Sequence, residues 1–189
     1  MLETTTSAEA VLDQAIAALK SGDEALLSAL NALPAPIYVT DAEGVIRYFN
    51  AACIDFAGRT PVVGQDRWCV TWKLYTELGD VLPHDQCPMA EAVKTQRQVR
   101  GVIAVAERPD GTRVTFQPYP TPLCAPDGSF RGAVNMLLDI TDSRQAASLR
   151  AQAARCRRLA RSVNDRPATE ALNNLADEYD AKARRLEQK

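Results

Sequence analysis

Apolar residues at helical spacing open the chain. They lie three or four residues apart across residues 7–20, which predicts an amphipathic helix. After a break at Ser21-Gly22-Asp23, a second apolar set predicts another helix, which Asp23 can cap. Pro34 ends that helix, because the residue before a proline avoids the α region. We therefore predict flanking helices over residues 1–33, which cover a sheet face or pair with the same helices of a second subunit.

The spacing then changes from helical to alternating. Apolar and polar residues alternate over residues 37–40 and 45–49, and Asp41-Ala-Glu-Gly44 supplies a turn, so a β-hairpin is predicted. Asn50 stands immediately after the second strand. An asparagine side chain can accept hydrogen bonds from the free amides of a first helical turn, so we predict that Asn50 caps a helix over residues 51–58.

Residues 61–97 follow a less regular pattern. They hold an aromatic and β-branched stretch from Trp68 to Tyr75, and then a helix for which Pro88 suits the first position. Three further strands are predicted after this helix, separated by Asp-Gly turns, at residues 99–107, 112–119 and 130–140. Two strands, several short helices and then three strands predict an α+β fold with an antiparallel sheet.

The last quarter of the chain returns to helical spacing. Two apolar stripes run through residues 143–189, and Asn164-Asp165-Arg166-Pro167 separates them, which predicts a helical hairpin. Such stripes do not stay in water, so they pack on each other, on the preceding domain or on a second subunit. We predict a homodimer held by the flanking helices.

Composition and charge refine this picture. The 189 residues carry 46% hydrophobic residues and a net charge of −2, enough for one packed domain with extra helices. Residues 1–142 are acidic and residues 143–189 are basic. Five cysteines without a Cys-x-x-Cys motif indicate reduced thiols. We expect a cytoplasmic protein, because the N-terminus lacks signal-peptide features and no apolar run is long enough to span a bilayer.

Four short motifs together resemble a PAS sensor domain over residues 34–142. They are Asp41…Gly44, Asn50 before a helix, Pro-Asp-Gly at residues 109–111, and Asp139-Ile140-Thr141 where the last strand leads into a helix. The segment from Tyr75 to Ala90 is similar to a PAS subgroup often attached to bacterial histidine kinases. The resemblance implies a five-stranded antiparallel sheet with short helices on one face and a ligand cleft between them. It also implies signalling through the flanking helices, with Asp139, Ile140 and Thr141 as the exit motif.

The sequence gives little support to an enzyme. A histidine kinase needs a phosphoacceptor histidine on a dimerising helix, whereas the single histidine, His84, lies far from the terminal helices. No P-loop, serine-hydrolase or metalloprotease motif occurs. The arginines at 155, 157, 158 and 161 are interpreted as a solvated helix face, and nucleic acid is not expected as a partner. We predict a sensor that signals to a separate kinase or regulator.

Seven residues are candidates for lining the cleft that the resemblance implies. The tryptophans could equally belong to the core, and His84 could equally belong to a surface loop. Aromatic side chains often line small-molecule pockets, and Asn135 stands in an otherwise apolar strand, where an inward side chain needs a hydrogen-bond partner. A ligand or a buried water could supply that partner. The seven candidates are Trp68, Trp72, His84, Cys87, Met89, Phe116 and Asn135.

Two alternative functions stay open at this point. In the first, the domain is a haem or redox sensor in which His84 or the Cys87 thiolate ligates iron. Flavin is less expected, because no cysteine stands in the Asn-Cys-Arg-Phe motif of light-sensing PAS domains. In the second, the domain binds no ligand and serves as a protein–protein interaction and dimerisation module, with its cleft filled by its own side chains.

Overall fold

The computed structural model describes residues 31–188. The helices predicted over residues 1–33 therefore lie outside the described residues, apart from their last three positions, of which 31 and 32 are helical. The chain divides into two compact units between Asp139 and Ile140, close to the predicted boundary at residues 142 and 143.

The described part of the first unit, from residue 31 onward, combines seven strand segments with short helices. The helices are α1 (Ala52–Ala57), a 3-10 turn (His84–Gln86) and α2 (Pro88–Thr95), and α2 begins at the proline as predicted. The strands are β1 (Ile37–Thr40), β2 (Ile46–Phe49), β3 (Lys73–Thr76), β4 (Ala104–Glu107), β5 (Arg113–Pro118), β6 (Thr121–Cys124) and β7 (Phe130–Asp139).

All pairings in this sheet are antiparallel, in the order β2-β1-β7-β5-β4-β3, with β6 also on β7. The predicted α+β class and PAS-type sheet are confirmed. The sheet has two segments beyond the expected five. One is β3, which lies within the aromatic stretch. The other is β6, because β5 and β6 pair with successive parts of β7 and form one interrupted strand.

Prolines explain the interruption between β5 and β6. Pro118 and Pro120 have no backbone N–H to donate to the ladder. Tyr119 between them still donates its N–H to the Met136 carbonyl at 2.9 Å, so the two halves stay aligned on β7. The strand predicted at residues 112–119 therefore ends one residue early and resumes as β6, which the sequence analysis did not predict.

The helix after the first hairpin has a different start from the one predicted. Ala51 is the N-cap of α1 and makes no side-chain cap bond, while its N–H donates to the Asn31 Oδ1 at 2.8 Å. The Asn50 side chain instead accepts a hydrogen bond from the Ile37 N–H at 2.9 Å and donates to the Ala35 carbonyl, also at 2.9 Å. Asn50 is fully buried, so its amide satisfies backbone groups of the segment that enters β1. The capping prediction for Asn50 is wrong.

The main core lies where the sheet meets α1 and α2. Alternate strand residues point to opposite faces of a sheet, and Leu74, Phe116 and Leu137 belong to one buried cluster with Phe56 of α1 and Met89 of α2. A second buried cluster is built from the other alternation, and it contains Ile37, Tyr119, Val134 and Met136. The central strands β1 and β7 thus bury residues of both alternations.

The second unit is the predicted helical hairpin, α3 (Thr141–Ala160) and α4 (Arg166–Glu187). Asp165 caps α4 by accepting a hydrogen bond from the Ala168 N–H at 3.0 Å, as expected from its position before Pro167. Arg157 forms ion pairs with both Asp177 and Asp180, so one arginine of the basic cluster links the two helices. None of the helices in the described residues is both long and apolar enough to cross a membrane.

Candidate functional site

The structure separates the seven candidate residues into two groups. Trp68, Trp72 and His84 line a surface cleft of about 630 Å³ on the first unit. Cys87, Met89, Phe116 and Asn135 lie in the interior, each at most 2% exposed. We call the surface cleft the tryptophan cleft. Its remaining lining residues are Arg59, Gln65, Asp66, Arg67, Cys69, Thr71 and Asp85.

Trp68 is fixed in the wall of the tryptophan cleft by its contact with Gly44. Its backbone adopts a φ of 69°, which is uncommon for a non-glycine residue, and its N–H donates to the Gly44 carbonyl at 2.8 Å. A Cβ at residue 44 would lie 2.2 Å from the indole ring. The Arg67 guanidinium and the Lys94 ammonium lie 5.2 and 5.5 Å from the ring centroid of Trp68. The Trp68 indole therefore already makes cation–π contacts with two protein side chains.

The positive charges of the cleft are held by protein partners. Arg59 forms an ion pair with Asp66 and also donates to the carbonyl of Val70 at 3.4 Å. Arg67 donates to the Glu43 carbonyl. The charge of Arg59 is therefore paired within the protein, whereas the charge of Arg67 lies beside the Trp68 ring.

His84 is a half-buried residue of this cleft. Its Nε2 lies 3.3 Å from the Thr71 Oγ1, and the same hydroxyl donates to the Cys69 thiol at 3.2 Å. Burial lowers the pKa of His84 below its usual 6.5, and the positive charge of Arg59 lowers it further. The imidazole is therefore neutral at pH 7 and contributes hydrogen-bonding atoms without a charge.

A chain of hydrogen bonds connects the cleft wall to the middle of the sheet. Asn135 points inward, accepts the Tyr119 N–H at 2.9 Å and donates from its Nδ2 to the Tyr38 hydroxyl at 3.0 Å. Tyr38 in turn donates its hydroxyl to the Trp68 carbonyl at 2.9 Å. The partner that an inward Asn135 needs is thus supplied by the protein itself.

Tyr38 was not among the predicted site residues. Its strand buries both of its faces, so the alternation of apolar and polar positions did not indicate that its ring points into the core. Burial raises the pKa of Tyr38 well above 10, with the nearby thiols of Cys69 and Cys87 adding to the shift. The hydroxyl therefore stays protonated and remains a donor.

The interior space between the sheet and the helices is filled around the other candidates. Met89 and Phe116 pack in the main cluster, where the Phe56 and Phe116 rings meet edge to face at 5.2 Å. The Cys87 thiol lies 4.0 Å from the Trp68 carbonyl, and burial raises its pKa to about 12.

The exit motif lies where the two units join along the chain. Asp139 is the last residue of β7 and stands opposite Phe116 of β5. The Ile140 carbonyl accepts hydrogen bonds from the Arg144 N–H at 2.9 Å and the Ser143 hydroxyl at 3.1 Å. Thr141 begins α3. The residues of this motif thus end the last strand and start the first helix of the hairpin.

Several solved structures are similar to this chain. A Rhodobacter sphaeroides LOV protein has 14% identity and a TM-score of 0.47, with 86% of this chain and 94% of that chain covered. The PAS domain of the fruit-fly ELK potassium channel has 12% identity and a TM-score of 0.49, with 62% and 96% covered. An RNA-binding light-oxygen-voltage receptor has 22% identity and a TM-score of 0.45. The match covers 61% of this chain and only 32% of that receptor.

No curated protein sequence matches the chain. The model of the PAS fold family matches residues 30–145, which is more than half of the chain and includes β1 to β7, α1, the 3-10 turn and α2. The chain belongs to the PAS fold family.

Proposed function

We propose that this protein is a signal-transduction protein whose PAS domain receives a signal and whose flanking helices pass it to a separate effector, a kinase or a regulator. PAS domains are typically sensory rather than catalytic, and we propose no enzymatic activity here. All five cysteines are free. Free thiols persist in reducing compartments, so the cytoplasm is the location we propose.

We propose that the signal is received at the tryptophan cleft. The observation that carries this proposal is the double role of Trp68. Its indole lines the cleft, and its carbonyl accepts the Tyr38 hydroxyl at 2.9 Å. The interior, where a PAS ligand was expected, is occupied by packed side chains and by the satisfied amide of Asn135.

The proposed mechanism is a population shift. A ligand that favours a different position of Trp68 also favours a different arrangement of Tyr38 and Asn135, because the three residues share hydrogen bonds. Asn135 belongs to β7, and β7 leads through the exit motif into α3. A change at the cleft thereby biases the strand from which the C-terminal helices start.

Hydrogen–deuterium exchange tests this coupling. Trp68→Ala should increase amide exchange in the paired segments of β1 and β7, because the anchor of the Tyr38 hydroxyl is displaced. Trp72→Ala is the matched control, since Trp72 lines the same cleft without a bond to Tyr38, and it should leave β7 protected. Equal exchange of β7 in both variants would show that the hydrogen-bond chain does not connect the cleft to the sheet.

A second candidate function is a ligand-free dimerisation module, and the hairpin favours it. The seam between α3 and α4 is made of small residues, Ala153, Cys156 and Ala176. The larger Leu159 and Leu175 are left 47% and 37% exposed. Apolar side chains left beside a close-packed seam are a natural contact for the hairpin of a second copy.

Light scattering after size-exclusion chromatography tests this dimer. Deleting residues 143–189, or replacing Leu159 and Leu175 together with serine, should convert a dimer to a monomer. Leu78→Ser is the matched control, because Leu78 is 91% exposed on the first unit and outside the hairpin. A dimer that survives both hairpin changes would refute the hairpin as the dimer contact.

A further inference from the structure

We propose that the tryptophan cleft binds a small organic cation, a guanidinium or alkylammonium compound, with the Trp72 indole and the Asp85 carboxylate as its recognition groups. This inference rests on the proposed function only in taking the cleft as the signal site. It adds the chemical class of the ligand, which the fold does not specify.

The first argument is that Trp72 is available for a cation. Its side chain is 52% exposed, although an indole is among the largest apolar groups that a protein can bury. Trp68 already has the cationic groups of Arg67 and Lys94 within 5.5 Å of its ring. Within residues 31–188, no lysine or arginine lies over the Trp72 ring. The Trp68 indole thus contacts cations of the protein itself, whereas the face of the Trp72 indole is open to a cation from solution.

The second argument is that, of the two acids of the cleft, Asp85 is the one without an ion pair in the described residues. Asp66 pairs with Arg59, whereas Arg67 keeps its positive charge and lies over the Trp68 ring. The Asp85 carboxylate has no ion pair in the described part of the chain, and Lys94 bonds its backbone carbonyl rather than its side chain. Asp85 is therefore the acid of the cleft that has no ion pair in the described residues, and a cationic ligand could form one with it.

The third argument concerns the neutral groups of the cleft. His84 carries no charge at neutral pH, so it does not repel a cation, and its Nε2 is already engaged with Thr71. Gln65 adds an exposed amide to the lining. A volume of about 630 Å³ is within the range of small-molecule sites, roughly 300–1,000 Å³. These features suit a compact cation with a short apolar part that lies against Trp72.

Intrinsic fluorescence provides a local readout, because both tryptophans of the chain line this cleft. The full chain is titrated with n-butylguanidinium and n-butylammonium. Butyrate, with an n-propyl chain, and 1-butanol, with the same n-butyl chain, serve as the anionic and neutral comparisons. We expect a saturable fluorescence change with both cations. Their dissociation constants should be at least about tenfold lower than those of butyrate and 1-butanol.

Variants assign the recognition groups. Asp85→Asn should weaken cation binding about tenfold or more, and Trp72→Leu should weaken it comparably, with Trp68 as the remaining reporter. Asp80→Asn is the matched control, because Asp80 is an exposed acid of the same region outside the cleft. Its affinity for the cations should equal that of the unchanged protein.

The possible outcomes separate this inference from the proposed function. Tighter binding of butyrate, or cation binding that Asp85→Asn leaves unchanged, would overturn the inference. If Trp72→Leu does not fold, the Asp85→Asn variant and the butyrate comparison still decide it. Cation binding without any change in amide exchange of β7 would support the ligand class and refute the signalling role of the cleft.

Discussion

Tyr38→Phe is the substitution that examines the interior hydrogen-bond chain most directly. It removes one oxygen atom and leaves the ring in the core. The lost hydroxyl donates to the Trp68 carbonyl and accepts from the Asn135 amide, and Tyr38 is 0% exposed. Two buried polar groups therefore lose a partner, and neither gains access to water in exchange.

The size of the effect follows from these two bonds. A neutral hydrogen bond contributes about 1 kcal/mol net, and a buried group left without its partner costs about 1–3 kcal/mol. Two such groups give a loss of about 2–6 kcal/mol in the free energy of unfolding. For a urea dependence of about 2 kcal/mol per molar, the unfolding midpoint should fall by about 1–3 M.

The assay is urea unfolding followed by tryptophan fluorescence. Both tryptophans belong to the PAS domain, so the transition reports this domain and not the helical hairpin. Tyr48→Phe is a control of the same chemistry with the opposite expectation. The Tyr48 hydroxyl is buried and has no hydrogen-bond partner in the described structure, so its removal should be neutral or slightly stabilising.

A double-mutant cycle separates the bond from the packing. Asn135→Leu removes the other member of the pair, and the double variant with Tyr38→Phe should lose less than the sum of the two single losses. Strict additivity, or equal destabilisation by Tyr38→Phe and Tyr48→Phe, would refute the assignment of Tyr38 as the hydrogen-bonded centre of the core.

Three further predictions test other parts of the PAS domain. Gly44→Ala should lower the melting temperature clearly more than Gly79→Ala, because both residues have positive φ but only at Gly44 would a Cβ collide with an indole. Equal decreases in melting temperature would contradict this contact. The free energy of unfolding should fall as the pH drops below about 6.5, since the unfolded chain binds a proton that His84 in the fold resists, and this slope should flatten in His84→Gln. In thiol labelling at pH 8, Cys124 should react quickly and Cys87, with its pKa of about 12, only on unfolding; a fast phase that persists in Cys124→Ser would disprove this order.

Much of the fold could be predicted because its signals are local. Asp165 before Pro167 indicates a helix start from two residues, and the structure has both the cap and the helix. Pro88 likewise marks the start of α2. The interruption of the strand at Pro118 was also readable in principle, since a proline in a central strand removes a ladder donor.

The candidate site was harder to predict because its residues depend on contacts distant in sequence. Asn50 satisfies every local rule for a helix cap, yet its amide bonds a segment that lies 13 or more residues earlier. Tyr38 and Asn135 are separated by 97 residues, and no spacing rule pairs them. Residue type indicates Trp68 and Trp72 as candidates, and residue type together with its position before a helix indicates His84, but only the fold places the three in one cleft.

Trp68 connects the two groups of candidates, and this connection constrains how the protein can respond. A ligand in the interior would have to displace packed side chains and replace the hydrogen bonds of Asn135, whereas a ligand at the surface needs only to move an indole that rests on Gly44. Under the proposed mechanism the second change reaches β7, because the Trp68 carbonyl accepts the Tyr38 hydroxyl and that hydroxyl accepts from the Asn135 amide. A closed interior is therefore compatible with sensing, provided that the signal arrives at the tryptophan cleft.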